Sequence, residues 1–432
     1  MKISVIGCGY LGAVHAAGMA ELGHTVVGVD IDAQKIAALT SGRAPFFEPG
    51  VDGLLQSRSD RLRFTTDISE VADAEVHFIA VGTPQAEGGA AADMRFVDAA
   101  FASLVPHLRP GALVVGKSTV PVGTAAAIAP QVEAAGASLA WNPEFLREGF
   151  AVADTLTPDR LVYGVRAGDD ASVALLDRVY STTLASGTPR IVTDFATAEL
   201  VKVSANAFLA TKISFINAMA EIAEVTGADV TTLADAIGHD TRIGRRFLNA
   251  GVGFGGGCLP KDIRAFQARA DELGVGHALE FLDHVDQINQ RRRARVVELA
   301  LAALDDQGSR DATVAVLGLA FKPNSDDVRD SPAVDVAVAL AREGVRVVAT
   351  DPQAQRSAAR KAPAVTIAPT VEEAINAASV VLVLTEWPEY RDLDPAALAP
   401  LTPARVVIDG RNCLDADKWR AAGWTYRGLG RS

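Results

Sequence analysis

Along the first part of the chain, short apolar runs alternate with longer amphipathic stretches. Residues 2–7 form a β-rich apolar run, residues 11–22 carry apolar side chains at helical spacing, and residues 25–29 form a second apolar run. Further apolar runs follow at 76–81, 113–117 and 139–141, with Ala-rich helical stretches between them. This order of elements predicts a doubly wound parallel sheet that extends to about residue 195.

The pattern changes after residue 195. Residues 195–238 contain almost no Gly or Pro and carry apolar residues at helical spacing, which predicts one long helix. Residues 260–305 also have a helical pattern. The middle third of the chain is therefore expected to be an all-helical region between two α/β parts.

The first pattern returns in the last third of the chain. The segment TVAVLG at 313–318 echoes KISVIG at 2–7, and GVRVVATD at 344–351 echoes residues 23–30 with the same interval between glycine and aspartate. The first turn of this second copy is longer by about ten residues and lacks the triple glycine, so we expect it to bind something other than a dinucleotide pyrophosphate. Later apolar runs at 380–384 and 405–408 supply further strands.

These patterns predict an α/β protein with two doubly wound Rossmann-like domains, joined by a long central helix and an all-helical middle region. We expect a dinucleotide-binding domain over residues 1–195, a central helical region over 196–305 and a second Rossmann-like domain over 306–432. The length of 432 residues agrees with two or three domains, since a typical domain has about 150 residues.

Charge and composition narrow the possible partners. The net charge is −12 and the chain has no block of five or six basic residues, so nucleic acid is an unexpected partner. A small anionic ligand stays compatible, because a locally positive pocket can form in an acidic protein. The three cysteines are too few for a disulfide framework and the seven histidines show no metal-site spacing, so we expect no metal and a reducing, cytoplasmic environment.

We also expect neither a signal peptide nor a membrane-spanning segment. The apolar start of the chain superficially resembles a signal peptide, but it leads directly into a glycine-rich turn, so we interpret it as the first strand. No stretch approaches the roughly 18 consecutive apolar residues that cross a bilayer. We therefore expect a soluble protein without a membrane partner.

The segment GCGYLG at residues 7–12 follows the first strand and opens a helix. Gly7 allows the tight turn, Gly9 lets the backbone approach a pyrophosphate, and Gly12 allows close packing of helix and strand. Asp30 closes the next strand, where its carboxylate can accept hydrogen bonds from a ribose diol and would repel a 2′-phosphate. This pattern favours NAD over NADP.

The segment GGGCLPKD at residues 255–262 places Cys258 between a glycine run and a proline suited to a first helical turn. A thiol at a helix N-terminus is stabilised as the thiolate, and the glycines would let a substrate reach the sulfur. Asp262 lies four residues on, on the same helix face. An inert core cysteine is the alternative for this motif taken alone.

Further candidates occupy the long helix and the predicted strand ends. Lys202 and Asn206 are one helical turn apart and could form an oxyanion site, although a solvated helix face is the alternative. Glu144 and Glu148 follow a strand and could share a helix face, either as an acid/base pair or as surface charges. The segments 82–84 and 117–123 bring hydroxyl groups to the same edge of the sheet.

Taken together, these residues resemble the nucleotide-sugar dehydrogenase family, which contains UDP-glucose and GDP-mannose dehydrogenases. The resemblance covers essentially the whole chain and is greatest for the UDP-glucose branch. Its landmarks are residues 7–12 with Asp30, residues 82–84, 118–123 and 142–148, Lys202 with Asn206, and residues 253–262 and 318–322. Seven landmarks in the same order make a coincidence implausible.

The resemblance implies an NAD-dependent, two-step, four-electron oxidation of a sugar primary alcohol to a carboxylate. Cys258 would attack the aldehyde formed first and give a thiohemiacetal, whose oxidation by a second NAD gives a thioester that water hydrolyses. Motif matching implies that Lys202 and Asn206 stabilise the alkoxide-like oxygens.

The same matching gives four further residues a role. Asp262, together with Thr119, would hold and activate a water. Glu148 is the expected base for thioester hydrolysis, and Glu144 is expected to support the acid/base chemistry or to orient the other groups. Which carboxylate performs which step stays open.

The resemblance also implies binding residues. For NAD these are Gly7, Gly9, Tyr10, Leu11, Gly12, Asp30, Lys35, Thr83, Thr119, Glu148 and Arg329. For the UDP-sugar they are Glu144, Phe145, Leu146, Arg147, Lys202, Asn206, Arg242, Phe254, Gly255, Lys322 and Arg411. Arg242 matches an arginine that the family donates across a dimer interface, which implies a homodimer built on the long helix near residues 200–230.

Substrate choice has alternatives at this point. Residues 147–149 and 158–162 are similar to the UDP-glucose branch, but Leu259 stands where many enzymes of that branch have Phe. GDP-mannose and UDP-N-acetylmannosamine dehydrogenases are therefore alternatives. A non-catalytic sensor of NAD or nucleotide sugars is an alternative from another class, against which the candidate nucleophile argues. A hydroxyacid dehydrogenase fits poorly, because it would leave the second α/β domain without a role.

Overall fold

The protein is described by a computed structural model over residues 1–306, 308, 312–403 and 405–431. The chain packs into two compact units, one of residues 1–205 with 264–276 and one of residues 206–263 with 277–432. Each unit contains one sheet of mainly parallel strands with helices around it. The prediction of two Rossmann-like α/β parts with a long central helix is confirmed.

The sheet of the first unit is built around the first strand of the chain. Its strands are β1 (Lys2–Ile6), β2 (Thr25–Val29), β3 (Leu62–Thr65), β4 (Val76–Ile79), β5 (Leu113–Gly116), β6 (Ser138–Trp141), β7 (Leu161–Gly164) and β8 (Arg190–Thr193). Their order in space is β3-β2-β1-β4-β5-β6-β7-β8. All neighbours are parallel except β6 and β7, which meet in one antiparallel pair at Trp141 and Gly164. The sheet reverses its direction of growth between β1 and β4, where such folds bind ligands.

Helices cover both faces of this sheet. They are α1 (Tyr10–Glu21), α2 (Ala33–Thr40), α3 (Val51–Ser57), α4 (Arg95–Leu104), α5 (Thr124–Ala134), α6 (Ala151–Leu156), α7 (Asp170–Val179) and α8 (Ser181–Ala185), with short 3-10 helices at Ile68–Val71 and Val105–His107. Ile3 and Val5 of β1 pack into one apolar core with α1, and Ile6 packs into a second core with α4 and α5. Because both faces are buried, the strands have almost continuous apolar sequences.

The middle of the chain contains four longer helices. These are α9 (Phe195–Thr226), α10 (Val230–Gly238), α11 (Leu259–Glu272) and α12 (Phe281–Asp305), with a 3-10 helix at Gly276–Leu279. The predicted long helix therefore ends at Thr226 rather than near residue 238, because Asp229 caps a new helix by accepting a hydrogen bond from Thr232 N at 2.8 Å. Among the described residues, no helix has both the length and the apolar character needed to span a membrane.

The second unit repeats the parallel sheet in smaller form. Its described strands are β9 (Thr313–Leu317), β10 (Arg346–Thr350), β11 (Thr366–Ile367), β12 (Ala378–Val383), β13 (Val406–Asp409) and β14 (Thr425–Gly428), in the order β11-β10-β9-β12-β13-β14. Its helices are α13 (Pro332–Arg342), α14 (Gln355–Lys361), α15 (Val371–Ile375), α16 (Pro388–Arg391), α17 (Pro395–Leu398) and α18 (Ala416–Ala421), with a 3-10 helix at Ala399–Leu401. A loop of residues 318–331 separates β9 from α13, so the longer first turn predicted for the second copy is present.

Candidate active site

The glycine fingerprint forms the turn between β1 and α1, and each glycine has its own structural reason. Gly7 has a φ of +88°, and its amide donates a hydrogen bond to Val29 O at 2.8 Å. A Cβ on Gly12 would lie 1.7 Å from Gly7 O, so only glycine fits there. A Cβ on Gly9 would meet nothing within 4 Å. The turn is therefore open at Gly9, where a pyrophosphate can approach the backbone.

Asp30 follows β2 and carries the carboxylate expected to bind ribose. It accepts hydrogen bonds from Cys8 N at 2.8 Å, from Lys35 Nζ at 2.9 Å and from Asp32 N at 3.0 Å.

Burial raises the pKa of the Cys8 thiol, so Cys8 is a packed thiol and not a nucleophile. The next residue, Ile31, is 93% exposed and offers an apolar surface that the sequence analysis missed, although an apolar residue after a strand-ending aspartate was a visible signal. These features fit a dinucleotide.

The loops after β4 and β5 bring hydroxyl groups together. Thr83 Oγ1 donates a hydrogen bond to Thr119 O at 2.7 Å, and Ser118 Oγ donates one to Val81 O at 2.7 Å. Thr83 is buried and Thr119 is half-buried. The structure thus places both threonines at the carboxyl edge of the sheet, with their loops tied to each other.

Glu144 and Glu148 lie in a loop after β6, so the expectation that they share a helix face is wrong. The Glu144 carboxylate turns back to accept a hydrogen bond from Leu146 N at 2.5 Å, and α6 begins only at Ala151. Glu144 also forms an ion pair with Lys202 Nζ at 2.8 Å. Because both members of this pair are largely buried, Glu144 fixes the position of the Lys202 ammonium group.

Lys117 follows β5 in the interior and is missing from the predicted set of site residues. Its Nζ donates to Asn142 Oδ1 at 2.9 Å, and Tyr180 OH donates to the same oxygen at 2.7 Å. Burial lowers the pKa of Lys117 to about 8, against an opposing effect of the Glu144 carboxylate and in the same direction as the Lys202 cation. A lysine at the end of an apolar strand was the signal that could have identified it.

Cation–π contacts and an ion pair hold other side chains of the loop after β6. The Arg160 guanidinium lies 3.7 Å from the centroid of the Phe145 ring, and Lys202 Nζ lies 5.8 Å from the same centroid. Arg147 makes a two-point contact with Asp154 at 2.6 and 3.0 Å. The loop therefore has a fixed path, with Phe145 beside Lys202.

In the other unit, Cys258 directly precedes α11. Its carbonyl accepts a hydrogen bond from Asp262 N at 2.8 Å, which makes Cys258 the capping residue of that helix. Cys258 is exposed, and none of the three cysteines, all of which lie in the described chain, forms a disulfide. The thiol thus stands where the amide groups of the first helical turn stabilise a thiolate.

The glycines before Cys258 have a different use from the expected one. A Cβ on Gly255 would lie 2.2 Å from Asp330 O, and one on Gly256 would lie 2.7 Å from the Phe321 ring. A Cβ on Gly257 would lie 2.3 Å from the Arg329 guanidinium carbon. The glycine run therefore makes room for the chain's own residues 321–330, whereas the sequence analysis gave this space to the substrate.

Asp262 is 2% exposed and lies one turn along α11 from Cys258. Its Oδ2 accepts a hydrogen bond from Asn206 Nδ2 at 2.7 Å, and its Oδ1 pairs with Lys261 Nζ at 2.7 Å. Lys202 and Asn206 are both buried, so they do not form a solvated helix face. The two residues stand one turn apart on α9 and contact different carboxylates, Glu144 and Asp262.

Several expected substrate-binding residues hold the loops of the second unit together. Arg411 donates to Leu384 O at 2.8 Å, to Gly253 O at 2.9 Å and to Phe321 O at 3.0 Å. Phe254 is buried, and its carbonyl accepts a hydrogen bond from Arg293 at 2.9 Å. The guanidinium group of Arg411 thus joins three loops of one unit.

The other expected binding cations of this unit, which are Lys322, Arg329 and Arg242, are half-buried or exposed. Lys322 Nζ lies 5.2 Å from the centroid of the Phe321 ring. Arg329 contacts Asp327 at 2.7 and 2.9 Å. Arg242 is exposed and pairs with Asp240 at 2.6 Å.

Leu11, the last expected cofactor residue, is half-buried and packs against the core around α1.

All three domain models of one family match the chain. Residues 1–184 match the NAD binding domain of the UDP-glucose/GDP-mannose dehydrogenase family, residues 196–291 match its central domain, and residues 315–416 match its UDP binding domain. A UDP-glucose 6-dehydrogenase of Bacillus subtilis (strain 168) is 41% identical over 440 residues, which cover 100% of this chain and 98% of the relative. A UDP-glucose 6-dehydrogenase of Rhizobium meliloti (strain 1021) is 40% identical, with 100% of both chains covered.

Solved structures give the same result. The structure of a UDP-glucose dehydrogenase from the archaeon Pyrobaculum islandicum matches with a TM-score of 0.89 at 39% identity, covering 100% of this chain and 98% of that one. A UDP-D-ManNAc dehydrogenase from Pyrococcus horikoshii matches with a TM-score of 0.86 at 27% identity, covering 100% and 99%. On these matches, and on residues that fit a dinucleotide, the chain belongs to the UDP-glucose/GDP-mannose dehydrogenase family.

Proposed function

We propose that the protein is an NAD-dependent UDP-glucose 6-dehydrogenase, which oxidises the C6 primary alcohol of UDP-glucose to the carboxylate of UDP-glucuronate. The observation that carries this proposal is the exposed thiol of Cys258 at the head of α11, one turn from the buried pair of Asp262 and Asn206. Full-length relatives named UDP-glucose 6-dehydrogenase support the choice of substrate at 41% and 40% identity.

NAD, when bound, supplies the hydride acceptor for each of the two oxidations. The open backbone at Gly9 would hold the pyrophosphate, and the Asp30 carboxylate, which is fixed by Lys35, would accept hydrogen bonds from a ribose. The other chain groups that we assign to cofactor binding are Gly7, Tyr10, Leu11, Gly12, Thr83, Thr119, Glu148 and Arg329.

In the first oxidation, C6 loses a hydride and its hydroxyl group loses a proton to the water held by Asp262 and Thr119, which gives the C6 aldehyde. Lys202 and Asn206 stabilise the C6 oxygen during this step. Lys202 is held by Glu144 at 2.8 Å, so its ammonium group is oriented before the substrate binds. Preorganised donors of this kind act most strongly where water is excluded. The groups that we assign to binding of the nucleotide sugar are Glu144, Phe145, Leu146, Arg147, Lys202, Asn206, Arg242, Phe254, Gly255, Lys322 and Arg411.

The second half of the reaction takes place on Cys258. The thiolate adds to the C6 aldehyde and forms a C–S bond, and the resulting oxyanion takes up a proton to give a thiohemiacetal. Loss of hydride from C6 and of the hydroxyl proton converts the thiohemiacetal to a thioester. Water, held by Asp262 and Thr119, adds to the thioester carbonyl while Glu148 takes its proton, and the C–S bond breaks to release the carboxylate. Four electrons thus leave as two hydrides, and water supplies the new oxygen.

A side-by-side assay with UDP-glucose, GDP-mannose and UDP-N-acetylmannosamine tests this function. We expect NADH to form from UDP-glucose at two equivalents per sugar, and steady turnover to be lost in Cys258→Ser. Cys413→Ser is the matched control, because Cys413 is half-buried and burial raises the pKa of its thiol, so its turnover should stay within about twofold. One equivalent of NADH, or none, contradicts the proposal, and tight binding without NADH favours a sensor.

We also propose that the chain acts as a homodimer. The helix α9 presents exposed apolar side chains at intervals of seven or eight residues, namely Leu200, Phe208, Phe215 and Ile222. An apolar stripe of this kind on a long helix is suited to pair with a second copy. Arg242, with its side chain 87% exposed, would then reach the substrate bound to the partner. Because the catalytic thiol has to stay reduced, the proposed location is the cytoplasm.

Mixing two inactive variants tests the shared arginine. Arg242→Ala and Cys258→Ser should each have little activity alone, because one lacks the substrate contact and the other lacks the nucleophile. In a mixed dimer, the Cys258→Ser chain donates its Arg242 to the site that keeps Cys258, so activity should recover after subunit exchange. Separate mass measurement by light scattering gives the oligomeric state. A monomer, or a dimer without recovery, contradicts this arrangement.

A further inference from the structure

Glu48, in the segment before α3, connects three parts of the first unit. The side chain is 5% exposed, although nothing in its local sequence distinguishes it from a surface carboxylate. It accepts hydrogen bonds from Gly149 N at 2.6 Å and from Ala151 N at 2.7 Å, across about a hundred residues of chain. Its third donor is the hydroxyl group of Tyr10. A buried carboxylate with three donors from distant parts of the chain holds those parts together and is not a surface charge. We call this set of three hydrogen bonds the Glu48 tie.

Tyr10 places one end of this tie at the dinucleotide turn. It is the first residue of α1 and directly follows Gly9, where the turn is open. Its ring packs on Phe46, with 4.8 Å between the centroids. Burial, followed by the hydrogen bond to Glu48, raises the pKa of the Tyr10 hydroxyl, so the hydroxyl stays protonated and donates. The charges of the Glu48 and Glu148 carboxylates also raise the pKa of Tyr10.

The other end of the tie lies in the loop that carries Glu148. Gly149, the next residue, donates its amide to Glu48, and Ala151 donates the second amide. On the other side of Glu148, the amide of Arg147 donates to Asp154 at 2.9 Å. Glu148 therefore lies between two backbone amides that are each held by a carboxylate.

We propose that Glu48 is a positioning residue that fixes the Glu148 carboxylate for thioester hydrolysis and links it, through Tyr10, to the dinucleotide turn. This inference rests on the proposed function. A ligand that contacts the turn at Gly9 also contacts the start of α1, so its binding steadies Tyr10, Glu48 and the following loop together. Loss of the Glu48 charge removes one of the two acceptor oxygens and weakens the hydrogen bond to the other, so Glu148 loses its fixed position. Hydrolysis, the step assigned to Glu148, should slow more than the two oxidations.

Amide hydrogen exchange over residues 147–152 tests the tie without any need for activity. In Glu48→Gln we expect exchange of this segment to be faster by tenfold or more, because the neutral side chain presents an amide donor to backbone donors. The matched control is Asp169→Asn, which removes the charge of a carboxylate that caps α7 by accepting from Ser172 N at 3.0 Å. Its exchange over 147–152 should not change. Added NAD should slow this exchange in the unmodified chain and should do so less in Tyr10→Phe.

Rapid mixing with UDP-glucose and NAD tests the effect on chemistry. Glu48→Gln should release close to two NADH per site in a burst, then turn over at least tenfold more slowly than the unmodified enzyme, with the sugar acid detected as a mass on Cys258. Rescue by Glu48→Asp should be partial, since the shorter carboxylate reaches fewer donors. In both variants the KM for UDP-glucose should fall in parallel with kcat, because slow hydrolysis lets the thioester accumulate, whereas kcat/KM should change little.

Each outcome decides the inference. Unchanged exchange in Glu48→Gln overturns the tie, and faster exchange with turnover within twofold of the unmodified enzyme overturns its role in hydrolysis. If the unmodified enzyme forms no NADH, the proposed function fails, while the exchange experiment still decides whether Glu48 holds the loop. If Glu48→Gln does not fold, Tyr10→Phe decides, because it keeps both amide contacts of Glu48 and removes only the link to the turn.

Discussion

The turns after β1 and β9 begin alike and then differ, and the difference shows how one fold comes to bind two kinds of ligand. Gly7 and Gly318 have φ values of +88° and +99°. Each donates its amide to the strand that follows in the fold, Gly7 to Val29 O at 2.8 Å and Gly318 to Thr350 O at 2.9 Å. In both sheets the chain leaves a strand at the point where the order of the strands reverses, and this explains the shared geometry.

The acidic residues that end β2 and follow β10 differ in what they bind. Asp30 has three donors, one of which is the partly exposed ammonium group of Lys35. Asp351 is fully buried and accepts from Leu319 N, Ala320 N, Gln353 N, Ala354 N and Trp387 Nε1. In the second sheet, mostly backbone amides of the chain itself occupy the Asp351 carboxylate. In the first sheet, the Asp30 carboxylate stays available to a ribose.

The next positions along the two turns differ in the same way. Gly9 has open space where a Cβ would be, whereas the matching Ala320 is fully buried and its carbonyl accepts a hydrogen bond from Thr385 Oγ1 at 2.6 Å. The comparison teaches that conserved topology fixes where the turn lies, while the donors around it decide whether a ligand can enter. Substitutions that exchange features between the copies test this conclusion.

The largest effect is expected from the two aspartates. Asp351→Asn should lower the free energy of unfolding by about 3 kcal/mol, since it leaves buried donors unsatisfied. Asp30→Asn should cost about 1 kcal/mol in unfolding but should weaken NAD binding by roughly 10- to 100-fold, because a charged hydrogen-bond acceptor is lost. Urea unfolding and NAD titration of both variants measure the two effects. Equal losses of stability in the two variants would contradict the comparison.

A pH-dependent effect is expected from β1 and β4. Ser4 and His77 stand opposite each other on these strands, and Ser4 Oγ lies 2.8 Å from His77 Nδ1. Burial lowers the pKa of His77 from 6.5 to about 4. Below pH 6.5 the unfolded chain takes up a proton that the folded chain does not, so the free energy of unfolding falls as the pH drops towards 4. The share of His77 in this fall is about 2–3 kcal/mol between pH 7 and 4.5.

The second sheet supplies the matched substitution. Ala315 and Val381 stand opposite each other at the matching register of β9 and β12. The double variant Ser4→Ala/His77→Val should therefore lose the His77 share of the acid destabilisation. Urea unfolding at both pH values checks this, and an unchanged difference between them would rule out His77 as its source.

The smallest effect is expected from Gly9→Ala, which gives the first turn the residue of the second. Because Gly9 has a φ of −68° and open space at Cβ, the free energy of unfolding should change by less than about 0.5 kcal/mol. NAD binding should weaken by about tenfold, since the methyl group enters the space of the pyrophosphate. Calorimetric titration measures the affinity, and an unchanged value would place the pyrophosphate elsewhere.

The sequence predicted the parts of this fold that repeat a local pattern. Strands such as β1 and β4 are buried on both faces, so their apolar runs are nearly continuous, and Gly7, Gly9 and Gly12 mark the turn that follows. The end of α9 was misplaced, because the capping of α10 by Asp229 outweighs a helical pattern that continues beyond it.

The parts that depend on distant contacts could not be predicted. Glu144 and Glu148 were given either a shared helix face or a surface position, but the Glu144 carboxylate binds the amide of Leu146 and pairs with Lys202 of a helix much later in the chain. The partners of Glu48 are just as distant in sequence. The glycines before Cys258 were given to the substrate, because nothing local shows that residues 321–330 occupy that space. Spacing along the chain predicts neighbours on one element, and it does not predict which loops meet.

The single antiparallel pair between β6 and β7 has a consequence for how this protein family can diversify. A parallel neighbour would require the chain to cross to the amino edge of the sheet before it re-enters. Residues 142–160, which join β6 to β7, form a loop followed by the short helix α6, and Thr155 of α6 packs against Gly18 of α1. Insertions and substitutions in this segment can reshape ligand choice while the strands keep their register. The segment between the antiparallel strands β6 and β7 is thus a part of the chain where ligand specificity can change while the sheet stays the same.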